Sequence, residues 1–174
     1  MEQQTTTDFA IRKARIGDVT AVHRLINSLA EKGDMLPRAL SELYENLRDY
    51  YVVERGGRLV GCCALHIMWE DLAEVRSLAV TADERSQGLG QALVARCLEE
   101  ARQLGIAQVF TLTLKPAFFE RCGFRRVDMS ALPRKVWGEC FHCPKFPNCD
   151  EVALIYDVAI DAPHAGQSIP NVVE

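Results

Sequence analysis

The sequence has no apolar run of membrane-spanning length, and its start, MEQQTTTDF, lacks the basic-then-apolar order of a secretion signal. It has no long basic run, and its formal net charge is −4. These absences speak against a membrane or nucleic acid as partner and predict a cytoplasmic protein acting on a small molecule. No segment repeats, which sets aside solenoids and propellers. The glycine-rich signatures are incomplete. No Gly-Lys-Ser/Thr follows the Gly-x-Gly turn at Gly88, as a nucleotide P-loop needs, and the third glycine of a dinucleotide fingerprint is missing. Cys140-x-x-Cys143, with Cys149 and His142, has metal-ligand spacing, but a second cysteine pair is absent. No metal is therefore expected, and a disulfide or packed thiols in a loop is the favoured reading. The seven cysteines are an odd number, read as mostly free thiols of a reducing compartment.

What is present is ordinary globular composition: 174 residues, 48% hydrophobic and 25% charged, enough for one domain with a full core. Residues 1–8 are polar and expected to be mobile, and 159–174 read as a loose tail. Between them, residues 9–158 alternate short β-prone runs with helical stripes. Strands are predicted at 9–14, 50–54, 58–68, 73–80, 108–114, 124–129 and 151–158. Helices are predicted from the stripes Val22, Leu25, Ile26, Leu29 and Leu40, Leu43, Tyr44, Leu47, then over 88–104 and 117–122. Residues 130–150 read as a long loop. The order implies an α/β (α+β) fold, a mixed sheet of about seven strands flanked by about four helices.

Leu72 to Leu104 organises the chain. Strand 73–80 runs into Arg85-Ser86-Gln87-Gly88-Leu89-Gly90 and then into a helix. A helix start presents unpartnered N–H groups and the positive end of the dipole. Two glycines let the backbone approach a bulky anion, and Arg85 adds a planar cationic fork. Together they read as a diphosphate cradle, or else as an ordinary strand-to-helix turn with a glycine hinge.

This order, with its R-x-x-G-x-G turn, resembles the GNAT acetyltransferase superfamily. The likeness rests on the strand Ala73–Val80 ending in Leu-Ala-Val, on Arg85–Gly90, and on Phe118-Phe119-Glu120-Arg121-Cys122-Gly123-Phe124. A narrower likeness, in Leu36-Pro37-Arg38, Leu43–Glu54, Gly61–His66 and Phe118–Phe124, is to the acetyltransferase domain of N-acetylglutamate synthases, in the short bacterial form without an amino-acid-kinase domain. The resemblance implies acetyl-CoA as co-substrate, with pyrophosphate at Arg85, Ser86, Gln87, Gly88, Leu89 and Gly90. It places the pantetheine arm along Leu78, Ala79 and Val80, with Phe119 beside the cofactor. It also implies L-glutamate as acceptor, in the first step of arginine biosynthesis.

The chemistry is attack of an amine on a thioester, which needs a base and donors for the oxyanion. Period-two alternation predicts Glu74, Arg76 and Leu78 on one strand face. The resemblance makes Glu74 the base, directly or through a water; the alternative is a strand salt bridge with Arg76. Phe119 stands where many of these enzymes carry a tyrosine that protonates the leaving thiolate, and phenylalanine has no proton to give. Paired carboxylates call for cations: Arg38 first, then Arg134 with Lys135, then Arg76. His23 and His66 are taken as structural. No Cys–His pair has nucleophile spacing, so direct attack in a ternary complex is expected. The sequence leaves open another small amine or a protein N-terminus as acceptor, a non-catalytic acetyl-CoA or amino-acid sensor, and the oligomeric state, a homodimer included.

Overall fold

The computed structural model describes residues 9–133, 138, 140–143, 145 and 147–159. Apolar residues recurring every three or four positions form helices, and alternating β-branched runs form strands. In chain order these are β1 (Ala10–Lys13), α1 (Val19–Ala30), α2 (Leu40–Glu45), β2 (Tyr50–Arg55), β3 (Arg58–Ile67), β4 (Leu72–Val80), α3 (Leu89–Gln103), β5 (Gln108–Thr113), α4 (Pro116–Arg121), β6 (Arg125–Val127) and β7 (Val152–Asp157). The strands form one seven-stranded sheet in the order β1-β2-β3-β4-β5-β7-β6. All neighbours are antiparallel except β4 and β5. Among the described elements this is the mixed α/β sheet with four α-helices that the sequence order implies, with helical residues also at Gly138, Cys140 and Phe141 in the stretch expected to be loop. Strand β7 inserts between β5 and β6, a placement that chain order alone does not dictate.

Each face of the sheet is covered differently. On one face α3 buries Leu89, Leu93, Val94, Cys97 and Ala101 against Val53, Val60, Val75 and Val109. On the other, α1 and α2 bury Val22, Ile26, Leu29 and Leu43 against Tyr50, Val52, Cys62 and Ala79. Further along that second face Leu72, Phe110 and Ile155 form a separate cluster with Leu132. Leu104, which the periodicity places on the apolar face of α3, caps the helix instead and is 54% exposed.

One irregularity in β4 positions the site. Cys62 pairs with Ala79 and Ala64 with Arg76, so Ser77 and Leu78 both oppose Cys63. This is a β-bulge, and Ser77 takes φ +55° within it. The extra residue reverses the alternation. Leu78 and Val80 join Ala73 and Val75 on the α3 face, while Ala79 joins the α1–α2 face. The expectation of Leu78 on the face of Glu74 and Arg76 is therefore wrong, because strict period two fails at the bulge.

The unequal roles of Leu93 and Leu104 are testable. Leu93→Ala empties a fully buried position and should cost about 2–5 kcal/mol in urea unfolding, while Leu104→Ala should stay within about 0.5 kcal/mol of wild type.

Candidate active site

Parallel strands β4 and β5 pair at only three positions, Leu72↔Gln108, Ala73↔Val109 and Glu74↔Phe110. Beyond them β5 pairs with β7 up to Thr113, and β4 runs on to Val80 with no strand beside it on that side among the described residues. The gap is a cleft of about 1470 Å³. Val75–Val80 form one wall, and Thr111, Thr113, Phe118 and Phe119 line the opposite side. The start of α3 closes one end, and the segment joining α1 to α2 runs along the cleft from Asp34, beside Arg85, to Arg38, beside Ser77.

The α3 end is built for an anion. Ser86 and Gly88 both take positive φ, +65° and +80°, so the turn folds its backbone into a concave nest. Gly88 is the N-cap, and no side chain caps the helix. The first-turn N–H groups of this 15-residue helix are thus left to a ligand. A Cβ on Gly88 would meet nothing within 4 Å, so the space in front of the cap is open. Gly90 serves differently: a Cβ there would sit 3.2 Å from the Phe118 ring, so glycine lets α4 pack against the cradle. Arg85 lies 3.6 Å and Lys115 3.2 Å from Asp34, which bridges the two cations at the cleft mouth. Lys115, then Arg85, holds the Asp34 carboxyl below the usual range. The nest, the uncapped helix and the two cations fit a diphosphate.

The opposite end carries acid and base groups. Glu74 lines the cleft at 8% exposure, with its Oε2 3.7 Å from Arg76 Nη1. Arg38, from the α1–α2 segment, donates from Nε to Ser77 Oγ at 3.3 Å and lies 3.7 Å from Glu42. The Tyr50 hydroxyl donates to the same Ser77 oxygen at 3.2 Å, and burial pushes its pKa up to about 12. It is held protonated as a structural donor. His66 is directly opposite Glu74 in the β3–β4 ladder, lines the cleft and pairs with Asp49 at 2.6 Å. Read from the sequence as merely structural, it belongs to the cleft wall.

A splayed parallel pair, a bulged strand and an uncapped helix start together form a cleft that fits a diphosphate-bearing co-substrate. The family model described as Acetyltransferase (GNAT) family matches residues 21–124. The chain belongs to the GNAT acetyltransferase family. An uncharacterized N-acetyltransferase of Chlorobaculum tepidum is 37% identical over 148 residues, 85% of this chain and 96% of that protein. An amino-acid acetyltransferase of Mycobacterium tuberculosis is 38% identical over 132 residues, 74% of this chain and 75% of that protein. The N-acetylglutamate synthase of Neisseria gonorrhoeae, solved with coenzyme A and N-acetyl-glutamate, superposes with a TM-score of 0.79 at 27% identity. That match covers 87% of this chain and 35% of the synthase. This GNAT chain is an acetyl-CoA-dependent N-acetyltransferase.

Of the residues named from sequence, Arg38, Glu74, Arg76, Leu78, Ala79, Val80, Arg85, Ser86, Gly88, Leu89, Gly90 and Phe119 all line the cleft. The Gln87 side chain turns away from it and accepts from Arg55. Arg134 and Lys135 lie outside the described residues. Phe119 is 5% exposed and stacks edge-on between Phe118 and Phe124. Thr111, Thr113 and Ser77 were missed. The threonines had a signal, their alternation in the run TLTL. Ser77 had none.

Burial makes Cys62 and Cys140 poor nucleophiles. Cys62 is fully buried and its thiol is pushed up to about 12 by burial. Burial, with Cys149 and Cys143 and then Glu74 and Glu151 nearby, also raises Cys140 at the cleft wall. Among the described residues no group of three His, Cys, Asp or Glu has metal-holding geometry. Brief alkylation of the native protein with iodoacetamide, followed by peptide mass mapping, should label exposed Cys149 and leave Cys62, Cys63 and Cys97 unmodified until the protein is unfolded.

Proposed function

We propose that this acetyltransferase moves the acetyl group of acetyl-CoA to the α-amine of L-glutamate, as a cytoplasmic N-acetylglutamate synthase at the head of arginine biosynthesis. The observation that carries the reading is Arg38: its guanidinium is held against Ser77 at the bulge of the strand that presents Glu74. A planar cationic fork beside a base, at the acceptor end of an acyl-CoA cleft, suits an amine that carries a carboxylate. The likeness to the amino-acid acetyltransferase of Mycobacterium tuberculosis and to the gonococcal synthase supports the choice of acceptor.

In this reading the turn Arg85–Gly90 holds the pyrophosphate of acetyl-CoA, and the edge of β4 from Leu78 to Val80 binds the pantetheine arm as an added strand would. The thioester supplies the electrophile. Glu74 takes the proton of the substrate ammonium, directly or through one water, and leaves a neutral amine lone pair. The nitrogen attacks the thioester carbon, and a backbone N–H of β4 stabilises the oxyanion. The C–S bond then breaks, and the second proton of the attacking nitrogen passes through water to the leaving thiolate, since Phe119 has none to give. Arg38 and Arg76 bind the acceptor's carboxylates.

Two variants separate the two halves of this site. Gly88→Glu places a side chain and a negative charge in front of the helix start, and should weaken acetyl-CoA binding at least tenfold by calorimetry; unchanged affinity would refute the cradle. Arg38→Ala removes a charged hydrogen bond to the acceptor, worth about 1.5–3 kcal/mol or roughly ten- to a hundredfold in kcat/KM. Release of free CoA, measured across a panel of amino acids, should show that loss on glutamate with the acetyl-CoA Kd unchanged. Equal turnover of neutral and acidic amino acids by the wild-type protein would sink the glutamate reading.

A further inference from the structure

Arg38 does not hold itself in place. It sits near the end of the segment from residue 31 to residue 39 that joins α1 to α2. The Asp34 N–H is bonded to Leu29 O at 3.1 Å, and the Ala39 N–H to Glu42 Oε2 at 2.7 Å. Between those two ties the described backbone hydrogen bonds are all made at Arg38, and all to one side chain. Asn27 Nδ2 donates to Arg38 O at 3.0 Å, and Asn27 Oδ1 accepts from Arg38 N–H at 3.3 Å. The second Nδ2 proton goes to His23 O, one helical turn back, at 2.9 Å.

An amide is the side chain that can do this, since it offers two donors and an acceptor in one plane. It mimics a strand partner for Arg38 while locking its own rotamer to α1. Asn27 takes no part in the apolar stripe of α1, which Val19, Val22, Ile26 and Leu29 supply. Asparagine in a helix interior is a mediocre helix former, so the helix itself does not call for it. The rigid body of α1, packed on β2 and β3, thereby sets where the Arg38 backbone lies, and the side chain then reaches Ser77.

We propose that Asn27 is a positioning residue for the acceptor site: its paired hydrogen bonds to the Arg38 backbone fix the guanidinium that binds the amino acid's carboxylate. The proposal rests on the reading of Arg38 given above. Without those bonds residues 35–39 sample more positions, while Asp34 stays tied to Leu29 O, Arg85 and Lys115, and the acceptor must order the loosened residues on binding. The cost falls on acceptor affinity and not on the cradle at α3.

A double-mutant cycle tests it, with steady-state kinetics at saturating acetyl-CoA and calorimetry of acetyl-CoA binding. Asn27→Asp keeps the size and the acceptor for Arg38 N–H but removes both donors; Asn27→Ala removes the whole bridge. Each should raise the KM for glutamate about three- to tenfold, leave the acetyl-CoA Kd within about twofold and change kcat little. In the Arg38→Ala background the same changes should add less than about twofold, because the group they position is gone. Equal losses in both backgrounds, or wild-type KM in both Asn27 variants while Arg38→Ala is impaired, would overturn the positioning role alone. Wild-type kinetics in Arg38→Ala would remove the parent reading and this one with it. Asn27→Asp keeps the test decisive if Asn27→Ala does not fold.

Discussion

The structure depends on two parallel strands parting. β4 and β5 share three ladder positions and then separate, so a continuous sheet acquires a cleft at its centre. The bulge at Ser77 and Leu78 bends β4, and antiparallel pairing to β7 holds β5 in its own direction. A closed ladder here would leave no exposed strand edge for a ligand. Ligand sites of α/β sheets commonly form where neighbouring strands diverge, and here the divergence also aims the start of α3 into the gap.

The bulge has a second consequence. By reversing the alternation, it puts Leu78 and Val80 on the α3 side while leaving Glu74 and Arg76 facing the other way. That polar pair falls between two apolar clusters, one under α1 and α2 and one around Phe110 and Leu132. A buried carboxylate and guanidinium 3.7 Å apart are costly to desolvate unless they interact or serve a ligand. The cleft has a cationic end at Arg85 and Lys115 and a mixed acid–base end at Glu74, Arg76 and Arg38, matching a diphosphate and an amino acid in turn.

The order of elements was legible because each segment shows its period, such as Val22, Ile26 and Leu29 for α1 and the alternation in VFTLTL for β5. The turn into α3 was legible because Gly88 at a strand-to-helix junction has a backbone reason to be glycine, seen as φ +80°. The bulge was not, since serine at φ +55° leaves no mark in composition or periodicity and depends on the register of two strands. His66 was taken as structural, and its place in the cleft wall was not legible because its partner, Asp49, and its cross-strand neighbour, Glu74, come from other segments. Arg38 was identifiable as a cation at a break, but its position comes from Asn27, eleven residues earlier on another element.

The central claim is that one cleft holds both substrates at once, and the initial-rate pattern tests it most directly. Rates of CoA release should be measured while acetyl-CoA and L-glutamate are each varied at several fixed levels of the other. Intersecting double-reciprocal lines are predicted, because the amine attacks the thioester directly with both bound. Parallel lines, accompanied by an acetylated protein detectable by mass spectrometry after acetyl-CoA alone, would contradict the account.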